Sequence, residues 1–147
     1  MSAIVCAIRG GPGSDSTIQT AVDLAKENDQ PLYFLYVFDI DFLHKTTQSR
    51  VQTLRQQMEE MGKFILLEAQ DAARQAGLEA QGIVRQGQVT QEIIALCREL
   101  QADYLVIGRP NADLDDSLFN KARLEEFIRQ VETQTGARVI MPDVDEP

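Results

Sequence analysis

The stretch AIVCAIRGGPGSDSTIQ, residues 3–19, decides the fold of this chain. Its first six residues form a near-continuous apolar run, which is typical of a parallel strand that is covered on both faces. The glycine-rich loop RGGPGSDST (residues 9–17) follows, and from Ile18 onward apolar residues recur at helical spacing. A buried strand, a tight turn and an amphipathic helix in this order indicate an α/β protein.

Two interpretations of the glycine-rich loop are open. In the first, Gly10, Gly11 and Gly13 let backbone N–H groups face an anion, and the N-terminus of the following helix adds a partial positive charge. In the second, the loop is only a tight connection, and Ser14 or Ser16 caps the helix. The loop alone does not decide between a ligand site and a turn.

The same order of elements continues along the chain. Helical patterns separate four further apolar strand candidates, which are residues 31–38, 79–85, 102–108 and 137–141. The second helix is long, ends at Gly77 and has an alanine-rich second half that favours packing on a sheet over a coiled coil. The pattern predicts one domain over residues 1–147, with helices on both faces of an open parallel five-stranded sheet and a frayed tail over 142–147.

Composition excludes several classes of function. A formal charge of −9 argues against nucleic acid or an anionic membrane as the partner, since both are bound through clustered Lys and Arg. Cys6 and Cys97 have no close Cys or His neighbours, so we predict no metal site and two buried thiols in a reducing compartment. His44 stands alone in a polar connection. No run reaches membrane-spanning length, and we expect a cytoplasmic protein.

Three segments carry a resemblance to a known family. They are AIRGGPGS (7–14), IQTAVDLA (18–25) and VRQGQVTQEIIALCRELQADYLVIG (84–108). Together they resemble the universal stress protein family over nearly the whole chain. The resemblance implies a sheet ordered 3-2-1-4-5, which places the first and fourth strands side by side, and homodimers that form through the last strand.

The sequence departs from the family's ATP-binding pattern. ATP-binding members have an Asp at the end of strand one and a G-x-x-G-(nine residues)-G-Ser/Thr run after strand four. Here Arg9 stands at the Asp position, and the run keeps Gly108 but has Asn111, Lys121 and Ala122 at its later positions. Because Asn and Lys cannot replace glycine in a phosphate cradle, we predict weak or no Mg-ATP binding and no resident cofactor, with ATP or AMP binding as the alternative.

The departures suggest a different ligand. Arg9 ends strand one and Arg109 follows strand four, and two guanidinium groups beside a glycine turn suit a phosphate or carboxylate. The competing interpretation pairs these arginines with nearby acids, which are Asp39, Asp41, Asp113, Asp115 and Asp116. The candidate ligand-binding residues are Arg9, Gly10, Gly11, Gly13, Ser14, Val37, Gly108, Arg109 and Asn111.

Three functions of different classes follow from these residues. The first is binding of a small anion or nucleotide derivative, and the second is a homodimeric stress-response module with its candidate interface at Val139, Ile140 and Met141. The third is an ATP-using enzyme, because GGPGSDST is similar to the S-G-G-x-D-S loop of PP-loop ATP pyrophosphatases. Two extra residues before Ser14 give the wrong spacing for that loop, and no nucleophile stands with a plausible base, so we predict no catalytic residues.

Overall fold

In a computed structural model of the protein, five strands alternate with four helices. The structure describes residues 2–9, 14–40, 48–108 and 121–142. The strands are β1 (Ile4–Ala7), β2 (Leu32–Phe38), β3 (Ala80–Gln86), β4 (Tyr104–Ile107) and β5 (Arg138–Ile140). The helices are α1 (Ser14–Asn28), α2 (Gln48–Gln75), α3 (Val89–Leu100) and α4 (Lys121–Thr135). Of the residues singled out in the sequence, Gly10, Gly11, Gly13, His44, Arg109 and Asn111 lie outside the described residues.

All strand pairs are parallel, and the sheet order is β3-β2-β1-β4-β5, which confirms the predicted fold class and strand order. The central strand β1 is paired on both sides, with Cys6 opposite Phe34 of β2 and Val106 of β4. Parallel strands connected in this order need helical crossovers on both faces of the sheet. The β1–β4 boundary is therefore the point at which the direction of winding reverses.

Alternating side chains of the strands feed two separate apolar layers. On one face, Cys6 and Phe34 pack with α1 and with the buried Leu66 and Ala69 of α2. On the other face, Val5 packs with α3 and α4, together with Leu35, Leu105, Cys97 and Phe127. Each fully buried Leu, Val or Phe side chain stabilises such a layer by about 1.5–3 kcal/mol. This two-sided burial explains why the strand sequences are almost continuously apolar.

Four of the strands are shorter than the apolar runs that predict them, and β3 has the predicted length but begins and ends one residue later. The run 3–8 shortens to Ile4–Ala7 and the run 137–141 to Arg138–Ile140. The predicted end of α2 at Gly77 is confirmed. Gly77 has φ +89°, and the N–H of Leu78 donates to the carbonyl of Ala73 at 2.9 Å, which is a glycine-dependent helix ending.

Candidate functional site

An apolar cavity of about 120 Å³ opens at the carboxyl ends of β1, β2 and β4, on the side of the sheet covered by α3 and α4. It lies beside the β1–β4 boundary, where ligands of open α/β sheets bind. Its lining residues come from three strands and two helices: Ala7, Ile8, Arg9, Leu35, Val37, Val89, Ile93, Ile107, Gly108, Leu124 and Phe127. Among these, Arg9 is the one charged residue.

The alternation of β1 explains why Arg9 belongs to this cavity. Cys6 and Ile8 belong to the α1–α2 layer, whereas Val5 and Ala7 belong to the α3–α4 layer. The N–H of Ile8 still donates to the carbonyl of Leu35 at 2.9 Å, so the extended backbone continues past the end of β1. Two residues beyond Ala7, Arg9 is on the cavity side of the sheet and is exposed to solvent at the cavity mouth.

Arg9 forms no ion pair or hydrogen bond within the described part of the chain, and in particular none with Asp39. Asp39 interacts with a residue other than Arg9. The alternative partners Asp41, Asp113, Asp115 and Asp116 lie outside the described residues.

Gly108 brings the end of β4 against the first turns of α1. A Cβ atom at Gly108 would lie 3.1 Å from the hydroxyl oxygen of Thr17, a residue that is only 3% exposed. The glycine-rich loop ends where α1 begins, at Ser14. The loop that follows β4 begins beyond Gly108. The described ends of the two loops therefore lie close together.

Three of the predicted site residues, Arg9, Val37 and Gly108, line the cavity. Ser14 is the first residue of α1. Sequence analysis missed the helical part of the lining, which is Val89, Ile93, Leu124 and Phe127. In the sequence, these four residues show only the apolar spacing near the start of a helix that follows a parallel strand. This spacing indicates a cavity only when the order of the strands is known.

The described lining provides an apolar surface and one guanidinium group, without a second titratable side chain. Burial raises the pKa of the Cys97 thiol to about 12 and raises that of Cys6 still further, so neither thiol is a nucleophile near neutral pH. Within the described ranges, no cluster of three His, Cys, Asp or Glu side chains could hold a metal ion. None of the described helices is both long and apolar enough to cross a membrane.

Solved structures share this fold. The universal stress protein UspA from Lactobacillus plantarum superimposes with a TM-score of 0.73 at 15% identity, over 96% of this chain and 97% of that one. A universal stress protein from Archaeoglobus fulgidus in complex with dAMP gives 0.64 at 17% identity, over 97% and 98%. A universal stress protein in complex with cAMP gives 0.70 at 19% identity, over 98% of both chains.

Sequence comparison identifies the family directly. Among curated proteins, no sequence matches this chain. The family model described as "Universal stress protein family" matches residues 1–128, which is most of the chain. The fold shared with the solved structures agrees with that match. The chain is a member of the universal stress protein family.

Proposed function

We propose that this protein is a non-enzymatic, homodimeric stress-response module of the cytoplasm that binds a nucleotide derivative or another small organic anion, and that it does not hold Mg-ATP. The observation that carries the proposal is the apolar cavity with Arg9 at its mouth. An apolar body and an anionic group on one ligand would satisfy both parts of this site.

The cavity supports binding of a flat ring. Apolar cavities of about 150 Å³ take up benzene, so a cavity of comparable size admits a single aromatic ring or part of a purine. Its walls are aliphatic on the sheet side, and Phe127 contributes an aromatic surface from α4. Phosphate or sulfate alone would leave these walls uncovered. The apolar lining therefore favours a ligand with a ring over an inorganic anion.

Arg9 supports the anionic half of the ligand. A guanidinium group without a partner among the described residues is available for a charge-assisted, bidentate contact with a phosphate or carboxylate. Two of the similar structures contain nucleotides with a single phosphate, dAMP and cAMP. A nucleoside monophosphate combines a ring with one phosphate group, so we take AMP as the probe ligand.

The sequence argues against a bound triphosphate. Gly108 is retained, and its closeness to Thr17 gives it a packing role that does not require a ligand. Asn111, Lys121 and Ala122 replace two glycines and a hydroxyl residue of the family's phosphate-binding run. Side chains at the two former glycine positions would occupy space that the backbone needs for approach to the phosphates. A monophosphate needs fewer of these contacts.

The edge strand β5 supports the homodimer. It pairs with β4 on one side, and its other side is an edge of the described sheet. Val139, Ile140 and Met141 are all half-buried. The outward N–H of Val139 has a long 3.5 Å contact with the Glu132 carboxylate, which is at the limit of a hydrogen bond. A second β5 strand could replace that contact with ladder bonds.

Native mass spectrometry of freshly purified protein tests the ligand and the dimer together. We expect a species of two chains that carries additional mass from a retained small molecule, and the mass is expected to correspond to a compound with a ring and an anionic group. A spectrum dominated by bare monomers would contradict the proposal. Retained Mg-ATP would contradict its ligand assignment while leaving the dimer intact.

A further inference from the structure

The outer face of α2 carries three large apolar side chains in contact with solvent. Met61 is 54% exposed, and Phe64 and Leu67 are each 61% exposed. They follow one another at intervals of three residues and form one continuous strip, which we call the α2 stripe. Val89, at the cavity, is the remaining strongly exposed large apolar residue in the described chain.

The α2 stripe is not an extension of the core. The buried face of α2 is formed by Gly62, Leu66, Ala69 and Ala73. At 100° per residue, Phe64 lies about 160° from the direction of Leu66 around the helix axis, and therefore points away from the sheet. Exposed apolar side chains that stand singly need no explanation, but a strip of three along one helix marks an interaction surface.

Charge is distributed unevenly along α2. Its first part, residues 48–58, contains Arg50 and Arg55 and no acidic residue. The remainder, residues 59–75, contains four acidic residues against two basic ones. No acidic residue stands in its first turn, where the helix dipole would favour one. After the stripe, residues 68–75 carry Glu68 and Asp71 against one base, Arg74, which pairs with Asp71 at 2.6 Å within the same chain.

We infer that the α2 stripe is a docking surface for a second copy of this chain, with the two α2 helices packed antiparallel about a two-fold axis. In a two-fold contact the same patch is used by both copies. Antiparallel packing places the basic part of each helix (Arg50 and Arg55) beside residues 68–75 of the other, whose two acids and one base give a net charge of −1. With the axis between Met61 and Phe64, Met61 packs on Phe64 of the second copy and Arg50 comes within about one helical turn of Asp71 of the second copy.

The exposed area is sufficient for such a contact. The three side chains together expose roughly 350 Å² per copy, or about 700 Å² for two copies. Because protein interfaces are about 60% apolar, this corresponds to a total interface of roughly 1,200 Å², which is at the lower end for specific dimers. Since α2 packs on β2 and β3 while β5 is at the opposite edge of the sheet, this surface is separate from the proposed β5 contact. It does not depend on the ligand proposed above.

Sedimentation equilibrium in a Val139→Lys background isolates this association from pairing through β5. We expect self-association with a dissociation constant of roughly 10–100 µM. Phe64→Glu and Leu67→Glu should each weaken it at least tenfold. The matched control is Gln134→Glu, which adds the same charge at an exposed position on α4, away from α2. Far-UV circular dichroism should show each variant as folded as the Val139→Lys protein, since Phe64 and Leu67 are exposed.

A charge exchange tests the antiparallel direction. Arg50→Glu alone should weaken association about threefold or more, and Arg50→Glu combined with Asp71→Arg should restore it. Monomers at about 100 µM in the Val139→Lys background would overturn the proposal. Association that is insensitive to Phe64→Glu and Leu67→Glu would overturn it as well, and so would failure of the exchanged pair to recover.

Discussion

Arg9 combines three properties in one residue: it follows the central strand, it lines the apolar cavity, and it forms no ion pair within the described chain. The resemblance places Arg9 where ATP-binding members have an Asp. If the cavity binds an anion as proposed, removal of Arg9 should weaken binding with little effect on the stability of the fold, because Arg9 is exposed and has no partner among the described residues.

We predict that Arg9→Ala lowers the affinity for AMP at least tenfold. A charge-assisted hydrogen bond contributes about 1.5–3 kcal/mol, and 1.4 kcal/mol corresponds to a factor of ten in affinity. The control is Arg98→Ala, which removes an exposed arginine on α3 that does not line the cavity. Isothermal titration of both variants gives the comparison. Equal affinities in the two variants would exclude Arg9 from the site.

Gly108 illustrates what single residues reveal before a structure is known. Its position after an apolar strand is visible in the sequence and predicts a turn or a ligand contact. Its 3.1 Å approach to Thr17 is not visible, because the two residues are 91 positions apart in the chain. The same holds for Val89 and Leu124, whose contribution to the cavity depends on how α3 and α4 are placed on the sheet.

At the scale of the elements, β5 has the clearest consequence for assembly. Its outer edge has unpaired backbone groups, apart from the 3.5 Å contact between Val139 and Glu132. Val139→Lys should shift a β5-paired dimer toward monomer, because a lysine on the pairing edge places charges of the same sign close together across the two-fold axis. Sedimentation velocity at tens of micromolar measures the shift.

A suitable control for Val139→Lys is Thr133→Lys, which places the same charge on the exposed face of α4. That variant should sediment like the wild type. The β5 contact would be refuted by a wild-type protein that is already monomeric at this concentration, or by equal sedimentation of all three proteins.

The order and type of the elements were predictable from local patterns, whereas their limits were not. Apolar runs identified the five parallel strands, of which β1, β2 and β4 are largely buried, and spacings of three and four identified the helices. The start of α2 at Gln48 lies three residues before its first apolar residue, Val51, because polar residues extend a helix without leaving a periodic signal. The strand order came from the family resemblance, since apolar patterning alone is compatible with several parallel arrangements.

At the scale of the whole molecule, one sheet positions surfaces with different proposed roles. The cavity is at the carboxyl ends of the central strands, β5 forms one edge, and α2 covers the opposite part of the sheet. Of the cavity lining, Arg9, Val37 and Gly108 were predicted from the sequence, and the other apolar wall residues were not. Charged residues and glycines stand out against an apolar strand, whereas the wall residues are indistinguishable from core residues until the cavity is seen.

The central claim is that the cavity binds a monophosphate-type organic anion in preference to Mg-ATP. Isothermal titration of the purified protein with AMP and with Mg-ATP, at the same ionic strength, tests this claim most directly. We predict measurable binding of AMP and at least tenfold weaker binding of Mg-ATP, since the second and third glycines of the phosphate-binding run are Asn111 and Lys121. Binding of Mg-ATP with a dissociation constant in the low micromolar range, equal to or tighter than that of AMP, would contradict it.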